Sequence, residues 1–143
     1  MMQKIRAWDK VGNEMINYII SINFVFGYIT FDTENVINKK RYFDDITIMQ
    51  STGLHDKHGV EIFDGDLIHY TYDGFDWYVP VVYREGRFEV YHGTLSTIPA
   101  SEIPSGKYAT NIGNSIRMYR VEFTDMYVAG NIYENPELLE VEE

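Results

Sequence analysis

Hydrophobic and polar residues alternate along this chain in short runs, broken at close intervals by turn residues, and that pattern predicts strands rather than helices. Residues 4–9 alternate and lead into the turn Lys10-Val11-Gly12-Asn13. From 15 to 31 Ile, Val, Phe and Tyr dominate, so most of that run reads as strand, with a break at Gly27. Thr33 followed by Glu34 opens a short helix toward residue 42, weakened by Asn35 and Asn38. A strand over 46–50 enters the centre of the chain. Further on, strands at 67–72, 75–83 and 87–92 are joined at Asp73-Gly74 and Glu85-Gly86. Successive hairpins make a meander, and a twisted meander of this length closes into a small barrel. Pro80 lacks a ladder donor and so belongs at an edge or a bulge.

Residues 93–113, with Pro99, Pro104, Gly106 and several Ser and Thr, read as a long irregular connection of the kind that orders on meeting a partner. Two more strands are expected at 115–123 and 126–133. Asn135 then caps Pro136-Glu137-Leu138-Leu139 as a short C-terminal helix, with an acidic tail over 134–143. The fold class is mainly β, with N-terminal strands added to a barrel of residues 46–92 and 115–134. At 143 residues, one domain with one core over 1–143 is the expectation.

The densest information lies at 49–70. Asp56-Lys57-His58-Gly59 places Asp first and Gly last in a four-residue turn, where Asp bonds its own following backbone and Gly tolerates positive φ. After Val60-Glu61-Ile62-Phe63, a second break at Asp64-Gly65-Asp66 redirects the chain into Leu67-Ile68-His69-Tyr70. Thr52-Gly53-Leu54, Asp56-Lys57 with Gly59, Glu61-Ile62 and Gly65-Asp66 together resemble the central motif of the YopX family of phage and prophage proteins. Ile5-Arg6-Ala7-Trp8-Asp9 and Gly130-Asn131-Ile132-Tyr133-Glu134-Asn135-Pro136-Glu137-Leu138-Leu139 agree with it, so the resemblance spans both ends and the centre. It implies an SH3-like small barrel with added elements, encoded by a temperate phage or prophage of a low-GC Gram-positive bacterium. It implies no activity and no catalytic residues. Gly53, Asp56, Gly59, Gly65 and Asp66 are accordingly read as a structural turn motif.

Charge narrows the function classes. The net charge is −10, and it is unevenly placed. Residues 1–48 carry six acids and six bases; residues 49–93 carry eight acids and three bases; residues 94–133 balance; the last ten residues add five Glu and no base. An acidic barrel and tail make a poor footprint for nucleic acid. The absence of Cys excludes disulfides and thiolate metal sites. The apolar stretch 15–26 is interrupted by Asn17, Ser21 and Asn23 and falls short of the ~20 residues a membrane helix needs. A soluble protein of the host bacterial cytoplasm is the expectation.

Several residue sets invite chemistry. His55 and His58 flank Asp56 in one turn, but zinc wants three or four converging ligands, and no metal or other cofactor is expected. Glu61, Asp64 and Asp66 offer carboxylates for acid–base work, yet such residues recur in turns to accept backbone N–H bonds. Ser51 or Thr52 with His55 and Asp56 has the residue types of a hydrolytic triad without its Gly-x-Ser-x-Gly elbow. The aromatics of the meander are the main ambiguity, with Trp77, Tyr78, Tyr83 and Tyr91 as the candidate interaction face. Rings of this kind stack on single-stranded nucleic acid in some small barrels, here with help from Lys39-Lys40-Arg41, Arg117 and Arg120. On an acidic barrel they suit a protein partner or self-association better. The expectation is a non-enzymatic accessory protein acting through protein contacts; the alternative is a nucleic-acid-binding small barrel.

Overall fold

In the computed structural model, the described residues are 4–72, 74–84, 86–92, 96–105, 107–112 and 119–139, with side chains described for all but 72, 84, 91, 92, 96–98, 107–112 and 119–123. Strands dominate: β1 (Ile5–Asp9), β2 (Glu14–Ile16), β3 (Ser21–Asn23), β4 (Tyr28–Phe31), β5 (Lys39–Tyr42), β6 (Ile46–His55), β7 (Glu61–Phe63), β8 (Asp66–Tyr72), β9 (Phe75–Arg84), β10 (Arg87–His92), β11 (Ser96–Pro99), β12 (Lys107–Ile112) and β13 (Tyr119–Asn131). Three short 3-10 helices, Phe43–Asp45, Ala100–Ser105 and Pro136–Leu139, complete the elements. None of the described helices is long and apolar enough to cross a membrane.

The chain divides into two compact units, Met1–Ser51 and Thr52–Glu143. Length alone suggested one core, but the buried apolar residues gather in two clusters. In the first unit β1 pairs with β2 through the turn at 10–13, and Ala7, Ile16, Ile29, Phe31 and Ile46 form the cluster. A separate antiparallel sheet runs β3-β4-β5. The helix expected from Thr33 is a loop instead. Thr33 Oγ1 accepts the Val36 N–H at 3.0 Å and Asp32 Oδ1 accepts the Asn38 N–H at 2.8 Å, so the side chains that would open a helix close a tight loop. β6 takes part in both units: residues 46–50 pair with β1 in the first, and its later residues lead into β7 in the second.

In the second unit six strands form one curled half-barrel in the order β11-β10-β9-β8-β13-β12. Residues 46–63, assigned to a barrel from sequence, lie in another sheet, β2-β1-β6-β7. The irregular connection expected over 93–113 is a correction of larger consequence, because it supplies β11, the Ala100–Ser105 helix and β12. Ala100 and Ile103 of that helix are buried with Ile62, Ile68, Tyr70, Val81, Val90 and Met126. Pro104 and the serines beside it, which suggested a loop, lie in a 3-10 helix between two edge strands.

Two strands expected at 115–123 and 126–133 are one strand, β13, with register shifts on β8 between Thr124 and Tyr127 and again between Val128 and Gly130; residues 115–118 lie outside the description. Asp125 sits in the first shift at φ 58°, a left-handed conformation that Asp tolerates better than most residues. Pro80 lies not at a sheet edge but in β9, between β8 and β10. Val81 O accepts the Gly65 N–H on the β8 side, so alternation turns the Pro80 nitrogen toward β10, where the register ends at Val81. The missing donor therefore falls at a local end of pairing.

Replacing Ile103 by Ala should lower stability by about 2–5 kcal/mol, as for other fully buried aliphatic truncations. Urea denaturation monitored by tryptophan fluorescence checks this, and a mobile connection at 100–105 would show no such loss.

Candidate functional site

The turn motif is a site of backbone recognition. Asp56 is buried at 5% exposure, and both its oxygens are occupied. Oδ1 accepts the N–H groups of His58 (2.8 Å) and Val60 (2.9 Å), which closes the turn between β6 and β7. Oδ2 accepts the Val128 N–H at 2.9 Å, between the two register shifts of β13. One carboxylate thus ties a local turn to a strand 72 residues away. On β6, Thr52 Oγ1 donates to Ile62 O at 2.8 Å and accepts the Leu54 N–H at 3.1 Å. Gly53, Gly59 and Gly65 take φ values of 79°, 84° and 87°, where a side chain is strained even in open space.

The second break joins the same construction. Asp66 is buried and its Oδ2 accepts the Phe63 N–H at 2.7 Å. Gly65 O accepts the Ile132 N–H at 3.0 Å, and Asp66 pairs with Asn131 in the β8–β13 register. Asn131 in turn accepts the N–H groups of Tyr133 (3.0 Å) and Glu134 (2.8 Å) and donates to Glu134 Oε1 at 2.7 Å. Asn135 is not the expected helix cap: its side-chain oxygen accepts the Asn131 N–H at 3.2 Å, and residues 136–139 form one 3-10 turn, not an α-helix. A Cβ on Gly130 would collide with the Asn135 amide, so this close approach requires Gly. The tail beyond 139 lies outside the described residues.

The residues of these turns and of the C-terminal stretch are those that carry the family resemblance, and the whole-chain comparison agrees. The YopX protein family matches over residues 4–140. The chain belongs to the YopX family. Among solved structures, the crystal structure of protein EF1440 from Enterococcus faecalis is similar, with TM-score 0.61 and 27% identity over 97% of this chain and 99% of that one. A search of the curated proteins found no match. In this YopX chain the central and C-terminal signatures form one clasp of side chain to backbone. The N-terminal one contributes Asp9, which is fully buried with Arg41 Nε at 2.9 and 3.0 Å from its two oxygens.

Other candidate residues fall apart. His55 and His58 are exposed, and His58 meets Tyr127 edge-on at 5.6 Å. Among the described residues no three His, Asp or Glu converge as metal ligands. Among the described side chains the buried histidine is His69, whose Nδ1 meets Asp125 O at 2.9 Å and whose Nε2 meets Asp76 Oδ1 at 2.8 Å, under the rings of Tyr78 and Tyr127. The expected aromatic face is divided by strand alternation. Trp77 packs on the second core, Tyr83 on the same face meets Phe88 edge-on and is exposed, and Tyr78 turns the other way onto His69. The Tyr91 side chain lies outside the description, as do Arg117 and the Arg120 side chain. Of the remaining basic residues, Arg41 is bound to Asp9, and Lys40 lies 4.2 Å from the centre of the Tyr28 ring.

Sequence reasoning missed the most exposed apolar surface among the described residues. Phe24, Val25 and Phe26, at 79%, 85% and 73% exposure, form the tip of the β3–β4 hairpin, and Tyr18 and Ile20 are exposed just before β3. The overlooked signal is that residues 15–31 contain no charged residue.

This geometry makes two outcomes measurable. Gly130→Ala should displace Asn135 and destabilise the fold by about 1–3 kcal/mol, measured by urea denaturation. Burial of Asp9 would raise its pKa, but the Gly12 N–H, the Arg41 guanidinium and the Val11 N–H outweigh it and hold the carboxyl below its usual range. A depressed carboxylate stabilises the fold above the unfolded-state pKa of about 4, and that contribution fades as pH falls through the folded value. Stability should therefore drop below about pH 4 in the native chain. Arg41→Met, which leaves the charge buried alone, should cost about 3–5 kcal/mol at neutral pH and flatten that acid limb.

Proposed function

We propose that this YopX protein is a phage or prophage accessory protein of the host bacterial cytoplasm that acts through protein contacts rather than catalysis, with its curled sheet serving as an SH3-like small barrel. The observation that carries this reading is the exposed apolar tip Phe24-Val25-Phe26, with Tyr18 and Ile20 exposed at the other end of β3. Exposed apolar surface of this kind is a mark of interaction sites, and aromatic rings are enriched in them. The signature polar groups support it from the other side, since Asp56 and Asp66 bind backbone N–H groups.

The test is capture of the tagged full chain from host lysate treated with nuclease, with Val25→Asp/Phe26→Asp in parallel. A stoichiometric protein recovered by the native chain and lost with the double variant is the expected result. Recovery that disappears with nuclease would move the reading to nucleic acid.

A further inference from the structure

We infer that the β3 edge is a self-docking site: a second copy of this chain pairs β3 with β3 in antiparallel fashion about Ile22, giving a two-fold symmetric dimer. This rests on the protein-contact reading and names its partner.

The two edges of the β3-β4-β5 sheet differ in kind. β5 carries Lys39, Lys40 and Arg41 in sequence, the charged composition that keeps edge strands from pairing. β3 carries none, and among the described residues no strand lies beyond it. Its sequence Ser21-Ile22-Asn23 is flanked by exposed apolar groups on both sides, Tyr18 and Ile20 before it and the Phe24-Val25-Phe26 tip after it. An unprotected edge with that flanking surface is a template for another strand.

The occupant is set by symmetry and charge. Antiparallel pairing about Ile22 sets Ser21 of each copy opposite Asn23 of the other, and brings Tyr18 and Ile20 of one alongside the apolar tip of the other. Polar residues thus meet polar ones and apolar meet apolar without a change of sequence, which is what an isologous contact requires. Beside the edge lies an apolar groove of about 550 Å³, lined by Lys4, Ile5 and residues 17–22 and of a size to receive side chains from the tip. Residues 1–48 contribute nothing to the net charge of −10, and residues 15–31 have no charge at all, so like-charge repulsion is smallest here. With the other edge guarded by Lys and Arg, association stops at two copies.

Sedimentation equilibrium of the full chain should give twice the 16.8 kDa chain mass. Added salt should tighten the dimer, because it screens the acidic remainder of two like-charged copies. Ile20→Lys should raise the dimer Kd by about tenfold or more with unchanged circular dichroism. Val25→Asp provides the same test should that variant misfold. Alternation turns the Ile22 N–H to the open edge, since Asn23 O accepts the Gly27 N–H within the hairpin, so hydrogen exchange at the Ile22 amide should slow as concentration rises. A monomer at about 100 μM, many times the Kd of a standard interface, would overturn the inference, as would a dimer indifferent to both substitutions or one whose Ile22 amide stays unprotected. A monomeric chain that still captured a nuclease-resistant protein would leave the protein-contact reading standing and remove only this one.

Discussion

The second unit depends on a buried carboxylate that has no cation to pair with in its hydrogen-bond set: Asp56 is held by the N–H groups of His58, Val60 and Val128. Burying a charge is unfavourable unless hydrogen bonds replace its water, and backbone N–H groups at fixed positions do so. The geometry is demanding in both directions. The turn must deliver two donors to one oxygen, and β13 must shift register to bring Val128 to the other. N–H groups alternate between the two sides of a strand, and the register shift around Asp125 changes which of them face away from β8, where Val128 meets Asp56.

Much of the rest is arranged around the same join. The Lys57 ammonium lies 2.7 Å from Asp125 Oδ1 and, by that hydrogen bond, holds the Asp125 carboxyl below its usual pKa range. His69, from β8, bonds Asp125 O. The C-terminal stretch arrives through Gly65 O and Ile132 N, and Asn131 and Asn135 fold it back on itself. Residues far apart in sequence thus share one constraint, which gives a physical reason for the central and C-terminal pieces of the signature to occur together.

How far this could be read in the sequence depends on the range of the forces involved. The turns at 56–59 and 64–66 were legible, because Asp and Gly act on their immediate neighbours. So was the strand character of nearly every run. The value of Asp56 to β13 was not, since Val128 offers only a backbone N–H and leaves no trace in residue type. Residues 100–105 looked like loop because Pro and Ser there and nearby Gly are turn formers, yet Ala100 and Ile103 are buried by tertiary packing. Pro80 misled through the general rule for sheet edges, when its strand needed only a local end of pairing. Asn135 carried a helix-cap signal that a closer acceptor task at Asn131 overrode. The apolar tip at 24–26 was hidden for a different reason: strand-like Phe and Val are ordinary core residues, and composition cannot say which turn places them in water.

The two units then divide the work. The second holds its signature residues in hydrogen bonds to its own backbone. The first carries the exposed apolar surface on a sheet with one guarded and one open edge. The most direct measurement on this account is the urea stability of Asp56→Asn, which keeps the size and one acceptor oxygen but turns an amide donor toward backbone donors. A loss of about 2–4 kcal/mol is predicted, with hydrogen exchange at the Val128 amide accelerated. Stability within about 0.5 kcal/mol of the native chain, the range of ordinary surface substitutions, would contradict it.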